Sequence, residues 1–212
     1  MKRAVIFLNG DLSDLSQVKN YLKPDDFIIC TDGGARHAIE LNLKPNALIG
    51  DFDSLSPDLQ KKFQDKNIEW LKYNIEKDES DSELTFNYVI ERDYKTVLLF
   101  GAFGTRLDHL LSNIFALVHL AEKGINLTII EGKKEIKVIK NYLEIEGEIG
   151  DLVSLIPVQT DTKKITTTGL QYKLTNEDLL FGYSRGISNV MTEKTATISF
   201  KFGALLVIHE RQ

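Results

Sequence analysis

Residues 4–130 alternate between short apolar runs and segments with helical spacing, and this alternation constrains the fold more than any other feature. Residues 4–8 (AVIFL) and 96–100 (TVLLF) are uninterrupted apolar runs, which are typical of strands buried on both faces of a parallel sheet. Four further strands are predicted over residues 27–30, 47–49, 68–71 and 127–130. The segments between them predict an α/β fold, a Rossmann-like parallel sheet with helices on both faces and right-handed crossovers.

The helices of this region carry start and stop signals. Ser80 and Glu83 have the S-x-x-E spacing of a capping box, and Ser56 followed by Pro57 predicts another helix start. Residues 107–121 carry one long apolar stripe at helical spacing, which predicts the longest helix. The remaining helical patterns cover residues 11–22 and 34–41.

The pattern changes after Gly132. From residue 133 to residue 212 the chain consists of short β-rich segments and turns, with no long helical stripe. This predicts a second, all-β domain, either a small sandwich or a barrel. The expected domains are therefore residues 1–132 and residues 133–212.

Charge and cysteine content restrict the partners and the compartment. The net charge is −5, from 26 Lys+Arg against 31 Asp+Glu, so the broad basic surface that attracts nucleic acid is missing. The lone cysteine, Cys30, indicates a reducing compartment, because it has no partner for an internal disulfide. No apolar run approaches the roughly 18 residues of a membrane span, and the N-terminus does not read as a signal peptide. We expect a cytoplasmic protein that binds no nucleic acid and no membrane.

Acidic and glycine residues follow the predicted strands at one edge of the sheet, where open parallel sheets bind ligands. Asp51 and Asp53 are two residues apart on one turn, and such close carboxylates repel unless a cation such as Mg²⁺ lies between them. An Asx-type turn with solvated carboxylates is an equally good interpretation of this pair. Asp78 and Asp81, near a helix start, could serve only as helix-stabilising acids, and Asp32 could belong to a glycine turn.

Residues 101–106 (GAFGTR) join a strand to the longest predicted helix, so free N–H groups and Arg106 could bind phosphate there. A tight strand-to-helix turn is the alternative. Asp108 and His109 could be ordinary first-turn residues, and Asn113 a solvated amide. Residues 184–189 (SRGISN) are expected to form a polar loop. Trp70 and Cys30 are expected in the core. The nearby aromatic residues Tyr172, Phe181 and Tyr183 could stack on a ligand ring, but aromatic residues in a β domain usually belong to the core.

Taken in order, five motifs resemble the thiamine pyrophosphokinase family. They are Asp32-Gly33-Gly34-Ala35, Gly50-Asp51-Phe52-Asp53-Ser54, Lys77-Asp78-x-Ser80-Asp81, Gly101-x-x-Gly104-x-Arg106-x-Asp108-His109 and Ser184-Arg185-Gly186-Ile187-Ser188-Asn189. The resemblance implies an N-terminal α/β domain, a C-terminal β-sandwich and a homodimer. It also implies the transfer of diphosphate from ATP to thiamine, which yields thiamine diphosphate and AMP. Thiamine would then lie between one subunit's α/β domain and its partner's β domain.

The resemblance also implies roles for the motif residues. Magnesium would be held by Asp51, Asp53 and Asp81, while Asp78 or Asp81 would orient or deprotonate the thiamine hydroxyl. Asp108 would join the metal ligands or fix Arg106. ATP would contact Asp32, Gly33, Gly34, Gly101, Gly104, Thr105, Arg106 and His109. Thiamine would contact Asp78, Arg185, Ser188 and Asn189. The alternatives are a diphosphokinase for another hydroxymethyl heterocycle, such as a pterin, and a non-catalytic nucleotide-binding protein.

Overall fold

A computed structural model of the chain describes residues 3–12, 14–53, 55, 61–63, 67–74 and 78–212. The chain divides into two compact units, Met1–Gly132 and Lys133–Gln212. The helix start predicted at Ser56 and Pro57 lies outside the described residues, as does Lys77. Within those described ranges, no helix is both long and apolar enough to cross a bilayer.

The first unit is built on a six-stranded parallel sheet. Its strands are β1 (Arg3–Phe7), β2 (Phe27–Thr31), β3 (Ala47–Gly50), β4 (Glu69–Lys72), β5 (Thr96–Phe100) and β6 (Asn126–Glu131). Their order across the sheet is β6-β5-β1-β2-β3-β4, and each neighbouring pair is parallel. Adjacent residues of β1 point to opposite faces, yet Ala4 to Phe7 are all fully buried, so both faces of the sheet are covered.

Four helices of this unit are described: α1 (Leu15–Tyr21), α2 (Ala35–Glu40), α3 (Asp81–Glu91) and α4 (Leu107–Glu122). The helix start predicted at Ser80 is confirmed, because Ser80 Oγ caps α3 by accepting a hydrogen bond from the Glu83 N–H at 3.2 Å. Helix α1 begins later than the apolar spacing predicts, since Asp14 caps it by accepting the Ser16 N–H at 2.8 Å.

The apolar stripe of α4 is only partly buried. Leu117 and Val118 lie in the core, whereas Leu107 and Phe115 are 66% and 64% exposed. The helix itself is confirmed, and its apolar stripe packs on the core mainly in the second half. Helical periodicity identifies an apolar face but does not say how much of that face the neighbouring elements cover.

The strand order reverses between β1 and β5. From β1 the chain adds β2, β3 and β4 on one side, and it then crosses over to place β5 and β6 on the other side. At such a switch point the loops after the two central strands diverge and leave a crevice at the carboxyl edge of the sheet. The topology therefore predicts a ligand site between the segments that follow β1 and β5.

The second unit contains two antiparallel four-stranded arrangements. One has the order β12-β9-β14-β7, and the other has the order β11-β10-β13-β8. The strands are β7 (Lys134–Ile139), β8 (Tyr142–Glu146), β9 (Leu152–Pro157), β10 (Thr162–Thr168), β11 (Glu177–Leu179), β12 (Asn189–Val190), β13 (Thr195–Ser199) and β14 (Leu205–Glu210). Both contribute to one hydrophobic core, which includes Val153 of β9 and Ile198 of β13.

Candidate active site

A cleft of about 480 Å³ opens at the carboxyl edge of the parallel sheet. The segments after β1, β2, β3 and β5 line it, together with the first turns of α3 and α4, as the strand order predicts. The residues predicted from the sequence that line this cleft are Asp32, Gly33, Asp51, Asp53, Asp81, Gly101, Gly104, Thr105, Arg106 and His109. The structure therefore gathers into one cavity predicted residues that lie far apart in the chain, from Asp32 to His109.

Three carboxylates form the acidic part of the cleft. One carboxylate oxygen of each of Asp32, Asp51 and Asp53 lies within 4.8 Å of those of the other two. Asp32 directly follows β2 and is buried, Asp51 directly follows β3 and is half-buried, and Asp53 is exposed. Carboxylates this close repel one another, and a hard divalent cation with oxygen ligands offsets that repulsion. The donor set thus fits Mg²⁺.

The turn that carries Asp51 and Asp53 has an unusual backbone. Phe52 between them has φ +64°, a left-handed conformation that costs about 1–3 kcal/mol for a non-glycine residue. The Phe52 ring is buried and packs edge-on against Trp70 at a centroid distance of 5.0 Å, which helps to hold this conformation. The Asp53 N–H donates to Asp51 Oδ1 at 3.1 Å, so an Asx turn and an acidic cluster coexist at this position.

The sequence predicts Asp51, Asp53 and Asp81 as the metal ligands. The structure instead groups Asp51 and Asp53 with Asp32. Asp81 is the first residue of α3 and lines the same cleft. Asp32 comes close to Asp51 because β2 and β3 are neighbouring strands, with Thr31 paired to Ile49. This pairing is a tertiary contact, and the sequence assigned Asp32 only to a glycine turn and to ATP.

The turns after β1 and β5 interlock and also line the cleft. The Gly10 N–H donates to the Gly101 carbonyl oxygen at 2.8 Å, and the Asp11 N–H donates to the Phe103 carbonyl oxygen at 2.8 Å. A Cβ atom on Gly10 would lie 2.0 Å from the Phe103 oxygen, so the two turns approach this closely only with glycine there. The result is a rigid, small-residue wall suited to a phosphate-bearing ligand.

Asn113 is a site residue that sequence reasoning missed. The expectation of a solvated amide is wrong: Asn113 is buried, lines the cleft, and its Nδ2 donates to the Ala102 carbonyl oxygen at 3.0 Å. The bond fixes α4 to the turn that follows β5. The signal was its position one helical turn after His109, since residues four apart share a helix face.

Arg106 and Asp108 form an exposed ion pair beside the cleft. Arg106 Nε lies 3.2 Å from Asp108 Oδ1, and its terminal nitrogen lies 2.6 Å from Oδ2. The hydrogen bonds from Arg106 lower the pKa of Asp108 to about 2. Asp108 is not among the residues that line the cleft or form the acidic cluster. Of its two predicted roles, the structure therefore matches the fixing of Arg106.

Two other predicted residues lie away from the cleft lining in the described chain. Asp78 is exposed and does not line the cavity. Gly34 packs against β1 instead, because a Cβ atom there would lie 2.0 Å from the Phe7 carbonyl oxygen. Close packing between α2 and the sheet accounts for glycine at this position.

Comparison with known proteins identifies the family. Residues 18–129 match the family model for the thiamin pyrophosphokinase catalytic domain, and residues 136–205 match that for the thiamin pyrophosphokinase vitamin B1 binding domain. The chain belongs to the thiamin pyrophosphokinase family. It is 27% identical over 210 residues to the thiamine pyrophosphokinase of Bacillus subtilis, covering 98% of both chains.

Solved structures of family members have the same mixed α/β fold. The crystal structure of thiamine pyrophosphokinase from Bacillus subtilis aligns with a TM-score of 0.90 at 25% identity and covers 100% of both chains. That of thiamin pyrophosphokinase from Geobacillus thermodenitrificans aligns with a TM-score of 0.85 at 26% identity, covering 100% of this chain and 98% of the other. As a thiamin pyrophosphokinase, the chain is an ATP-dependent diphosphotransferase.

The segment with the predicted thiamine contacts, residues 184–189, lies within the range of the vitamin B1 binding domain. Arg185 forms an ion pair with Glu177. Ser188 has φ +57°, and its N–H donates to Ser154 Oγ at 3.0 Å. Asn189 is buried. The segment is therefore a fixed loop on the edge of β9.

The aromatic residues near this segment are not core residues, contrary to the sequence-based expectation. Tyr172, Phe181 and Tyr183 are 65%, 55% and 70% exposed. Trp70 in the first unit is also 37% exposed, whereas Cys30 is fully buried as expected. The second unit of this chain thus presents several aromatic rings on its surface.

Proposed function

We propose that the cleft of the first unit binds ATP together with Mg²⁺, and that residues 1–132 form the catalytic domain of this thiamine diphosphokinase. The observation that carries the proposal is the cluster of Asp32, Asp51 and Asp53, which lines the same cavity as the interlocked glycine turns. Carboxylates supply oxygen ligands for the cation, and glycine turns and a helix N-terminus suit phosphate oxygens. One cleft then provides both the cation ligands and the phosphate-binding turns that a nucleoside triphosphate site requires.

The reaction is a diphosphoryl transfer. The hydroxyl oxygen of thiamine attacks the β-phosphorus of ATP, the bond from that phosphorus to the oxygen bridging the α- and β-phosphates breaks, and AMP leaves. The hydroxyl proton passes to a base. Such transfers depend mainly on positioning and on neutralising phosphate charge. When bound, Mg²⁺ supplies charge neutralisation to the phosphate oxygens.

The chain's own residues have distinct tasks in this proposal. Asp32, Asp51 and Asp53 hold the cation, and Arg106, oriented by Asp108, binds phosphate oxygens. Asp81 orients the thiamine hydroxyl and accepts its proton, because Asp81 lines the cleft and the exposed Asp78 does not. The remaining cleft residues predicted for ATP keep that assignment: Gly33, Gly101, Gly104, Thr105 and His109.

The second unit supplies thiamine binding and dimerisation in this proposal. Residues 133–212 present the 184–189 loop, whose predicted contacts are Arg185, Ser188 and Asn189. The family resemblance supports a homodimer in which thiamine lies between the first unit of one chain and the second unit of its partner. Cytoplasmic location stays a prediction from the sequence.

Product analysis tests the reaction. The purified protein is incubated with thiamine, Mg²⁺ and ATP that carries heavy oxygen isotopes in its γ-phosphate, and the products are separated and identified by mass spectrometry. Diphosphoryl transfer places the label in thiamine diphosphate and leaves unlabelled AMP. Formation of thiamine monophosphate with ADP would contradict it. Asp53→Asn in parallel shows whether the products depend on the cleft.

A further inference from the structure

Asn9 is a polar cleft residue that none of the sequence motifs includes. It lies just after β1, where the strand order reverses, and its exposed side chain lines the cavity. Among the residues that the structure describes, none forms a hydrogen bond with its carboxamide. A carboxamide has two N–H groups to donate and one oxygen to accept, so these groups are available to a ligand.

The backbone that carries this amide is held from two sides. The Arg36 guanidinium of α2 donates to the Asn9 carbonyl oxygen at 2.8 Å. On the other side, the Gly10 N–H donates to the Gly101 carbonyl oxygen at 2.8 Å. A polar group on a backbone that is already fixed loses less conformational entropy when it binds a ligand. The amide of Asn9 is therefore preorganised in the cleft.

The Asn9 side chain lies directly against the backbone of Gly33. A Cβ atom on Gly33 would lie 2.2 Å from Asn9 Cγ, 2.4 Å from Oδ1 and 2.5 Å from Nδ2, and these are the three atoms nearest to it. Gly33 is not among the glycines with a positive φ, so the amide, and not the backbone conformation, requires glycine there. The contact places the amide beside Asp32, which precedes Gly33 and belongs to the acidic cluster.

The charge of this region favours an amide that donates to phosphate. Asp32, Asp51 and Asp53 already supply three carboxylates for a cation. A phosphate oxygen that binds the same cation comes close to the neighbouring amide, whose N–H groups donate to it without adding charge. A carboxylate in place of the amide would repel that phosphate.

We propose that Asn9 is a nucleotide-binding residue, whose Nδ2 donates to a phosphate oxygen of ATP, and that Gly33 is glycine because it makes room for this amide. The inference rests on the proposed binding of ATP and Mg²⁺ in this cleft. It adds a contact from the turn after β1 to those assigned to the turns after β2 and β5.

Two substitutions of Asn9 test the phosphate contact. Asn9→Ala removes the donor and should raise KM for ATP about tenfold, as for loss of one hydrogen bond to a charged group. Asn9→Asp keeps the shape and an acceptor but adds a negative charge, so it should raise KM for ATP further. Neither substitution should change KM for thiamine. A KM for ATP in Asn9→Asp at or below the wild-type value would overturn the proposal, because only an accepting role survives that change.

Asn87→Ala is the matched control for these substitutions. Asn87 is an exposed asparagine within α3 that does not line the cleft, so its replacement should leave KM for ATP unchanged. Urea unfolding of each variant checks that the fold is kept, as expected when exposed side chains are replaced.

A double-mutant cycle tests the role of Gly33. Gly33→Ala should displace the amide and raise KM for ATP by a factor similar to that of Asn9→Ala. Because Asn9→Ala removes the three atoms that the new Cβ would meet, Gly33→Ala should add less than about twofold in the Asn9→Ala background. Additive effects would overturn the proposal, since Gly33 would then serve the site independently of Asn9.

Arg106→Ala distinguishes failure of this inference from failure of the proposed site. A raised KM for ATP in Arg106→Ala, with KM for ATP unchanged in the Asn9 variants, would overturn the role of Asn9 and leave ATP in the cleft. An unchanged KM for ATP in Arg106→Ala and in both Asn9 variants would place ATP outside this cleft, which overturns the proposed function of the site itself.

Discussion

The imidazole Nε2 of His37 lies 2.8 Å from the carbonyl oxygen of Gly10, so a buried residue of α2 holds the turn that follows β1. A carbonyl oxygen only accepts, so Nε2 carries the proton of this bond. Arg36, next to it, donates to the carbonyl oxygens of Asn9 and Gly10 at 2.8 and 3.1 Å. Because Gly10 in turn contacts Gly101, the shape of the cleft wall depends on α2.

The first prediction concerns the pH dependence of stability. Burial lowers the pKa of His37 below its ordinary value of 6.5, so the unfolded chain binds a proton before the folded one does. The contribution of neutral His37 to the free energy of unfolding is fully present above about pH 6.5 and is lost as pH falls through the pKa of the folded state. The free energy of unfolding changes by at most about 1.4 kcal/mol per pH unit through this group. His37→Gln keeps a donor near Gly10 but does not titrate. Urea unfolding from pH 5 to 8 should show that the free energy of unfolding of the wild type exceeds that of His37→Gln by a smaller amount at low pH. A difference that does not change with pH would contradict the prediction.

The second prediction concerns the acidic cluster. Asp53→Asn should abolish turnover with little loss of stability, because Asp53 is exposed and the proposed site uses its carboxylate to hold the cation. Asp32→Asn should weaken divalent-ion binding at least about tenfold, while Asp81→Asn changes it less than about twofold. Mn²⁺ titration followed by electron paramagnetic resonance measures affinity independently of catalysis. An equal loss of Mn²⁺ affinity in Asp32→Asn and Asp81→Asn would favour the metal ligands predicted from the sequence, which include Asp81.

The third prediction concerns phosphate binding. Arg106→Ala should raise KM for ATP about 10- to 100-fold, as expected for a charge-assisted hydrogen bond, and leave KM for thiamine unchanged. Asp108→Asn should raise KM for ATP less, since it frees Arg106 but does not remove its charge. Arg92→Ala is the matched control, because Arg92 pairs with Glu69 and does not line the cleft. Equal KM for ATP in Arg106→Ala and Arg92→Ala would remove Arg106 from the site.

The fourth prediction tests a site shared between two chains. Asp53→Asn damages the first unit, and Ser188→Arg places bulk and positive charge in the thiamine loop of the second. If each site combines units from two chains, a mixed dimer contains one site with both defects and one intact site. Co-refolding equal amounts of these inactive variants should then restore about a quarter of wild-type activity, since half of the dimers are mixed. No recovery, with dimers present by sedimentation, would place the whole site within one chain.

Much of the fold follows from local patterns. The apolar run of residues 96–100 is strand β5, and Ser80 caps the start of α3, because both signals act over a few residues. Strands β11 and β12 were not predicted, since segments of three and two residues carry no measurable period.

The site was only partly predictable for a different reason. Asp51 and Asp53 stand out because they are neighbours in sequence, whereas Asp32 joins them only through the pairing of β2 with β3. Asn113 and Tyr172 have residue types that do not reveal burial: the amide is buried and the ring is exposed. Burial depends on which distant element covers a residue, and one sequence does not contain that information locally.

The single cysteine allows local opening of the parallel sheet to be measured by thiol labelling. Cys30 is fully buried in β2 between β1 and β3, and burial raises the pKa of its thiol well above the ordinary value. A thiol reagent therefore reacts only when this part of the sheet separates, so the labelling rate measures that event without any engineering. For the same reason, a fluorescent label directed to an added surface cysteine, such as Tyr183→Cys, will attach at one place while the native cysteine is left intact.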